Sequence, residues 1–535
     1  MPHGFFTLIL HAHLPFVRHP EHPEFLEEDW LYEAITEVYL PLLQTLSALD
    51  AAGARPRLAL NLSPTLCEML ADPLLQTRYT RHLENLSALA EKEIERTKHA
   101  DARQFLPAAR MYARTLRATR RLWHEVYERD LIRGFRQLQD AGICEIMTCG
   151  ATHGFLPLIS TTEARRAQVE IAVANYQKHF GRRPRGIWLP ECAYAEGLET
   201  LLAEARLEYF IADTHAVLYG TPRPRRGVYA PVKLTNGVAV FARNLETSRQ
   251  VWSSLDGYPG DENYREFYRD IGWDAPLEYL RPHLHADGAR RHLGLKYHRV
   301  TGRNVPLADK QPYRPRRARR RAALHAAHFV DERIKQAARQ RAALDGHAPL
   351  ITSPYDAELF GHWWFEGVHF LAHVFGELAR RRDEIEALSP ADYLAAHPRL
   401  QTQRLSPSSW GAEGYYKVWL NDTNAWLYPL QHAAEARLTA LAGQHPDAPS
   451  GSLIARALNQ AARELLLAQS SDWAFQIAHD TTVEYAARRF RSHIARFHAL
   501  ASDLERGDID APRLAEIEAR DNIFAELDYR IYRAR

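Results

Sequence analysis

Cysteine is scarce in this chain: Cys67, Cys144, Cys149 and Cys192 are the only four in 535 residues. Their irregular spacing supplies neither a disulfide framework nor a CxxC metal motif, so they read as buried thiols. Net charge is equally sparse, +2 from 68 basic and 66 acidic residues, and exerts no overall pull toward nucleic acid or a membrane surface. No apolar run approaches the about 20 residues of a membrane span. The opening MPHGFFTLILHAHLP lacks a basic region followed by a cleavable apolar one. Together these absences predict a cytoplasmic protein without a membrane or nucleic-acid partner; nothing in the chain fixes an oligomeric state. One basic run, RPRRARRRAA at 314–323, opens a helix-like segment and reads as a solvated face.

Strand-like runs are plentiful. FFTLIL (5–10), RLALNL (57–62), CEIMTC (144–149), GIWL (186–189), YFIA (209–212), GVAVFA (237–242) and LITS (350–353) alternate with helical stretches, a pattern that predicts a parallel sheet with helices outside it. Polar residues follow every run: His11 and His13, Asn61 and Ser63, Thr152 and His153, Glu191, Asp213 and His215, Arg243 and Asn244, and Asp356. Chemistry spread over all the strand ends predicts a closed barrel, whereas an open doubly wound sheet concentrates it at one switch point. The expected architecture is therefore α/β: a seven-stranded (β/α)7 barrel over residues 1–400, with an insertion around 244–349. Residues 401–535 are expected to form an α-helical domain, with helices over 415–432, 452–470, 473–489 and 491–504.

Two strand ends stand out. The stretch PLITSPYDAELFGHWWFEG (349–367) gathers Asp356, Glu358 and Glu366 with Trp363 and Trp364; RGIWLPECAYAEG (185–197) places Glu191 just past Pro190. Tryptophan is costly to leave in water and a carboxylate costly to bury unpaired. A sugar ring suits both, because its C–H faces stack on indole and its hydroxyls donate to carboxylates. Acids from two separate strand ends are what paired catalytic carboxylates require. The rival reading starts from His11 and His13, whose spacing puts both imidazoles on one side of an extended segment. With His153 and Asp213 they would make a metal-dependent deacetylase or hydrolase.

HAHLP (11–15), GATHGFLP (150–157), WLPECAY (188–194), SPYDAELFGHWWFEG (353–367) and SSWGAEGYYKVWLN (408–421) resemble, in order, the five sequence blocks of glycoside hydrolase family 57, and more closely its 1,4-α-glucan branching members. The resemblance implies a (β/α)7 barrel, a retaining mechanism on α-1,4-glucan, and no metal or other cofactor in catalysis. It makes Glu191 the nucleophile and Asp356 the proton donor. Trp410, Asp472, Arg269 and Gly288 match substrate-binding positions, and Trp30, Trp273 and Trp419 match aromatic positions along the glucan path; His11, His13 and His153 enter the sugar reading as neutral partners for its hydroxyls. Branching in this family is associated with a loop tyrosine that shields the intermediate from water. The corresponding segment here, YAPVKLTNG (229–237), is short and has Tyr229 at its start. The same two carboxylates would serve an α-amylase or a 4-α-glucanotransferase.

Overall fold

The computed structural model describes residues 2–253 and 256–534. Its strands are β1 (Gly4–Ala12), β2 (Leu58–Leu62), β3 (Cys144–Met147), β4 (Gly186–Ile187), β5 (Tyr209–Ala212), β6 (Val232–Lys233), β7 (Ala239–Ala242), β8 (Leu350–Asp356), β9 (Ile385–Ala387) and β10 (Gln401–Thr402). Each of the seven expected runs forms one of them. The three short strands β6, β9 and β10 have no alternating apolar pattern to announce them.

The fold is α/β with a helical C-terminal region, but strand pairing does not form the expected closed barrel. It gives two five-stranded sheets, β3-β2-β1-β8 with β9 added on β1, and β10-β6-β7-β5-β4. The interruption has a local cause. β4 is two residues long and runs into the 3₁₀ turn that starts at Pro190, and its link to β3 shrinks to the bridge between Thr148 and Ile187. On the other side, β7 and β8 are joined where the Asn244 N–H donates to the Thr352 carbonyl (2.9 Å).

Alternation of side chains sorts the core into two clusters. Phe6, Leu8 and Leu10 face the surrounding helices; Ile9, Ala59, Met147, Trp188, Ile211, Phe241 and Leu350 meet on the other face. Residues two or six positions further along β1, β2 and β8 share that inner face. These are His11, Asn61 and Asp356, and the parallel register pairs His11 with both of the others.

Between β1 and β2 the chain forms three helical elements in sequence, Glu28–Ala34, a π-helical turn Ile35–Tyr39, and Leu40–Ala51. The interval 244–349 contains short helices and one long helix, Pro315–Ala343, which leads back to β8. The basic run forms the start of that helix. In the C-terminal region, 415–426 holds only a 3₁₀ turn, Tyr416–Val418, and the first α-helix runs Leu427–Gln444. The break expected near 490 falls earlier, between Ser471–Ala478 and Val483–Arg506, where Asp480 (φ 53°) and Thr482 (φ 47°) reverse the chain. The helical region sits on the strand ends. The Ser160 N–H donates to Glu435 (2.7 Å), and the Ser471 N–H donates to the His153 carbonyl (3.0 Å).

Candidate active site

Glu191 lies one residue past Pro190 in a single turn of 3₁₀ helix, and its own backbone is left-handed (φ 62°, ψ 21°). Cys192 follows with φ 49°. Two consecutive non-glycine residues in this region store strain of about 1–3 kcal/mol each, and the turn aims the carboxylate inward. The Ser471 hydroxyl donates to Oε1 (2.8 Å) and the Trp410 indole N–H donates to Oε2 (2.8 Å). The Trp410 N–H of the backbone also donates to the Glu191 carbonyl (2.9 Å). Glu191 is 8% exposed. Burial pushes its carboxyl up to about 7, against the pull of the Ser471 and Trp410 hydrogen bonds.

Asp356 ends β8 and is half-buried. Burial raises its pKa well above the usual carboxylate range; the charges of Glu358 and Glu191 add to this and Arg243 opposes it. Arg243 itself pairs with Asp213 (2.5 Å) and lies 5.9 Å from the centre of the Trp410 ring. Glu358 accepts from the Tyr39 hydroxyl (2.5 Å), and burial pushes it up to about 7. The π-helical turn thus delivers Tyr39 to the loop that follows β8. It delivers Glu37 as well, which pairs with Arg265 (2.6 Å) and His362 (2.9 Å).

The three predicted histidines come together. His13 and His153 stack with centroids 3.9 Å apart, and His11 lies flat on Trp188 at 4.5 Å. Every ring nitrogen has a partner. His11 Nδ1 faces Asn61 Oδ1, and its Nε2 is 2.9 Å from His153 Nε2. His153 Nδ1 is 2.8 Å from Ser471 Oγ. His13 Nδ1 is 2.8 Å from Ser63 Oγ, and its Nε2 meets Asp472 Oδ2 at 3.0 Å. Burial holds His11 and His153 well below the usual imidazole range. Asp472 is brought below the usual aspartate range despite its burial, by His13 and Ser470. The ligand atoms of His13, His153 and Asp472 do lie within 4.8 Å of one another. Asp213 is not part of that group and pairs instead with Arg243 and His215 (3.3 Å), so the metal reading loses its fourth member.

Trp410 sits edge-on to Trp188 (5.1 Å) and Trp252 (5.9 Å). The other expected binding residues are less central. Trp30 meets Tyr485 edge-on at 5.7 Å. Trp273 is 54% exposed. Arg269 pairs with Asp274 at 2.9 Å, and Gly288 adopts φ 66°. Trp419 departs from its expected role in lining an open path: it is 1% exposed and packs against Phe155 at 5.0 Å. For Tyr229 the sequence leaves the shielding role open. Its carbonyl accepts from the Leu350 N–H (2.8 Å), which puts it at the start of β8, the end opposite Asp356. Ser471, Arg243 and Tyr39 complete the site. Ser471 precedes the expected Asp472, and Arg243 follows a strand-like run, but no local pattern links Tyr39 to a carboxylate 319 positions away.

Residues 7–406 match the profile of glycosyl hydrolase family 57. Residues 430–532 match a profile described as 1,4-alpha-glucan branching enzyme, C-terminal. A 1,4-alpha-glucan branching enzyme of Thermococcus kodakarensis is 35% identical, over 97% of this chain and 77% of that relative. A probable 1,4-alpha-glucan branching enzyme of Mycobacterium tuberculosis is 34% identical over 98% of each. Among solved structures, the alpha-amylase AmyC from Thermotoga maritima is 41% identical with a TM-score of 0.92, covering 99% of each chain. The chain belongs to glycosyl hydrolase family 57.

Proposed function

We propose that this protein is a 1,4-α-glucan branching enzyme of the cytoplasm, cutting an α-1,4 link and rejoining the fragment through an α-1,6 link with retention of configuration. The observation that carries the reading is the contrast between two inward-facing acids. Glu191 accepts two hydrogen bonds that oppose its burial and make it the easier of the two to ionise, while Arg243 opposes the burial and like charges that keep Asp356 protonated. Asp356 protonates the leaving glycosidic oxygen as Glu191 bonds to the anomeric carbon. The Asp356 carboxylate then takes the proton of an incoming 6-hydroxyl, whose oxygen displaces Glu191. A retaining pair requires the carboxyls about 5–5.5 Å apart. His11, His13, His153, Trp410 and Asp472 are assigned to the sugar beside the bond cut; Trp30, Trp273, Arg269 and Gly288 are assigned to the outer glucan.

The domain division goes with this reading: a barrel over residues 1–400 with an insertion around 244–349, and a helical domain from 401 that contributes Trp410, Ser471 and Asp472. The barrel is proposed to close through the Thr148–Ile187 bridge and the Asn244–Thr352 hydrogen bond. The inner cluster drawn from all seven parallel strands supports that closure.

A second reading, α-amylase, is favoured by one observation: Tyr229 lies at the wrong end of β8 to shield an intermediate. Water, a 4-hydroxyl and a 6-hydroxyl compete for the same intermediate, and water exclusion decides among them. Incubating amylose with the enzyme and counting new α-1,6 signals against new reducing ends separates branching from hydrolysis. Retention of activity in a chelator separates both from metal-dependent hydrolysis.

A further inference from the structure

An unbroken row of buried polar groups runs Asn61, His11, His153, Ser471, Glu191, and the direction of each hydrogen bond in it is constrained by its neighbour. The Asn61 amide nitrogen donates to the Met147 carbonyl (3.2 Å), which can only accept. Asn61 Oδ1 therefore points at His11, and His11 Nδ1 must carry a proton. If His11 is neutral, its Nε2 accepts from His153 Nε2–H. A neutral His153 then accepts at Nδ1 from the Ser471 hydroxyl, and Ser471 Oγ is left to accept from a protonated Glu191. If Glu191 is ionised, the Ser471 hydroxyl turns to donate to it and His153 Nδ1–H donates to Ser471. The two facing Nε2 atoms, 2.9 Å apart, then need one proton between them.

Both arrangements hold the same number of protons. We infer that Ser471 and His153 form a proton wire through which Glu191 passes its proton to the His11–His153 pair as it bonds to the anomeric carbon, and recovers it when the acceptor displaces it. This rests on Glu191 as the nucleophile. In the first step the Glu191 oxygen bonds to carbon, the glycosidic C–O bond breaks with Asp356 supplying its proton, and the carboxyl proton of Glu191 moves one link along the wire. The second step reverses each transfer, with the acceptor proton going to Asp356.

Burial and His13 oppose a cation on the pair, so the charge stays there only while Glu191 is esterified, and acids stand close by. His13 stacks on His153 and carries Asp472 on its far nitrogen; Asp356 is the β8 residue paired with His11; Cys149 lies beside both rings; Glu358 and Arg243 act on Asp356. A direct approach is absent, since His153 Nδ1 and Glu191 Oε1 are 3.7 Å apart, so transfer between them goes through the Ser471 hydroxyl. Ser471 and His153 are positioning residues for Glu191.

The test is the acid limb of kcat/KM. With the wire intact, Glu191 need not release its proton to solvent, so activity persists below the pH at which the isolated carboxyl titrates. Ser471→Ala and His153→Gln should each move the acid limb up by at least about one pH unit, a tenfold loss per unit below it, and the double variant should move it no further. Ser471→Thr should restore it. His153→Gln keeps a donor for Ser471, so a limb that moves in Ser471→Ala but not in His153→Gln would reduce Ser471 to a static hydrogen bond and overturn the wire. A measurement on the unaltered enzyme guards against variants that fail to fold. When Glu191 is trapped as a glycosyl ester by a 2-deoxy-2-fluoro glucosyl fluoride, ¹⁵N spectra should show a new imidazolium; unchanged histidines would contradict the wire. Failure of the reagent to label Glu191 would instead overturn the nucleophile assignment.

Discussion

Glu191 and Asp356 are chemically similar acids that differ in their neighbours, and the neighbours come from distant parts of the chain. Glu191→Gln should abolish transfer, while Glu191→Ala in azide should give a glycosyl azide of inverted configuration, which a general acid variant does not. Asp356→Asn should lower kcat by about 100- to 10,000-fold. In the proposed mechanism Asp356 must be protonated to act, and the charge of Glu358 helps hold its pKa up. Removing that charge in Glu358→Gln lowers the pKa of Asp356, so the alkaline limb of the kcat profile should move to lower pH. A limb that stays in place would show that burial alone sets it. Glu191, Asp356 and the three histidines could be proposed from the sequence because each lies at or beyond the end of a strand-like run. The hydrogen bond from Ser471 and the Tyr39–Glu358 contact could not, because they depend on folding across 280 and 319 positions.

At the scale of elements, the loop after β8 is shaped by Gly361, which adopts φ 117° with the Glu37 carbonyl 2.0 Å from where a Cβ would stand. Only glycine fits against the π-helical turn that carries Glu37 and Tyr39. Gly361→Ala should destabilise the protein by about 1–3 kcal/mol in urea titrations. It should also lower kcat, because the loop holding Glu358 must shift. The strands were readable from apolar runs of four or more residues. The π turn was not, since one extra residue in a single hydrogen-bonded turn disturbs a 3.6-residue pattern too locally to be read. The helix expected from Tyr415 failed for a clearer reason. Glu413 (φ 64°) and Gly414 (φ 75°) turn the chain, and the residues after them wrap around the buried Trp419 before a helix can start.

For the whole molecule, the decisive feature is that the site is split between two regions. Glu435 of the C-terminal region is fully buried. It accepts from the Ser160 N–H (2.7 Å) and from the side chains of Gln431 (2.8 Å) and Gln469 (2.9 Å). Glu435→Ala orphans these donors at about 1–3 kcal/mol each. The loss should appear in denaturant unfolding and in a raised KM, as Ser471 and Asp472 lose their seat. The two-part organisation was legible from composition; the incomplete ladder was not, because a two-residue strand carries too little pattern to reveal how it pairs. The central claim is that the intermediate on Glu191 is resolved by a 6-hydroxyl, and proton NMR of amylose after incubation tests it directly. New α-1,6 signals exceeding new reducing ends, both absent in Glu191→Gln and Asp356→Asn, are the predicted result; reducing ends without α-1,6 signals would contradict branching and leave an amylase.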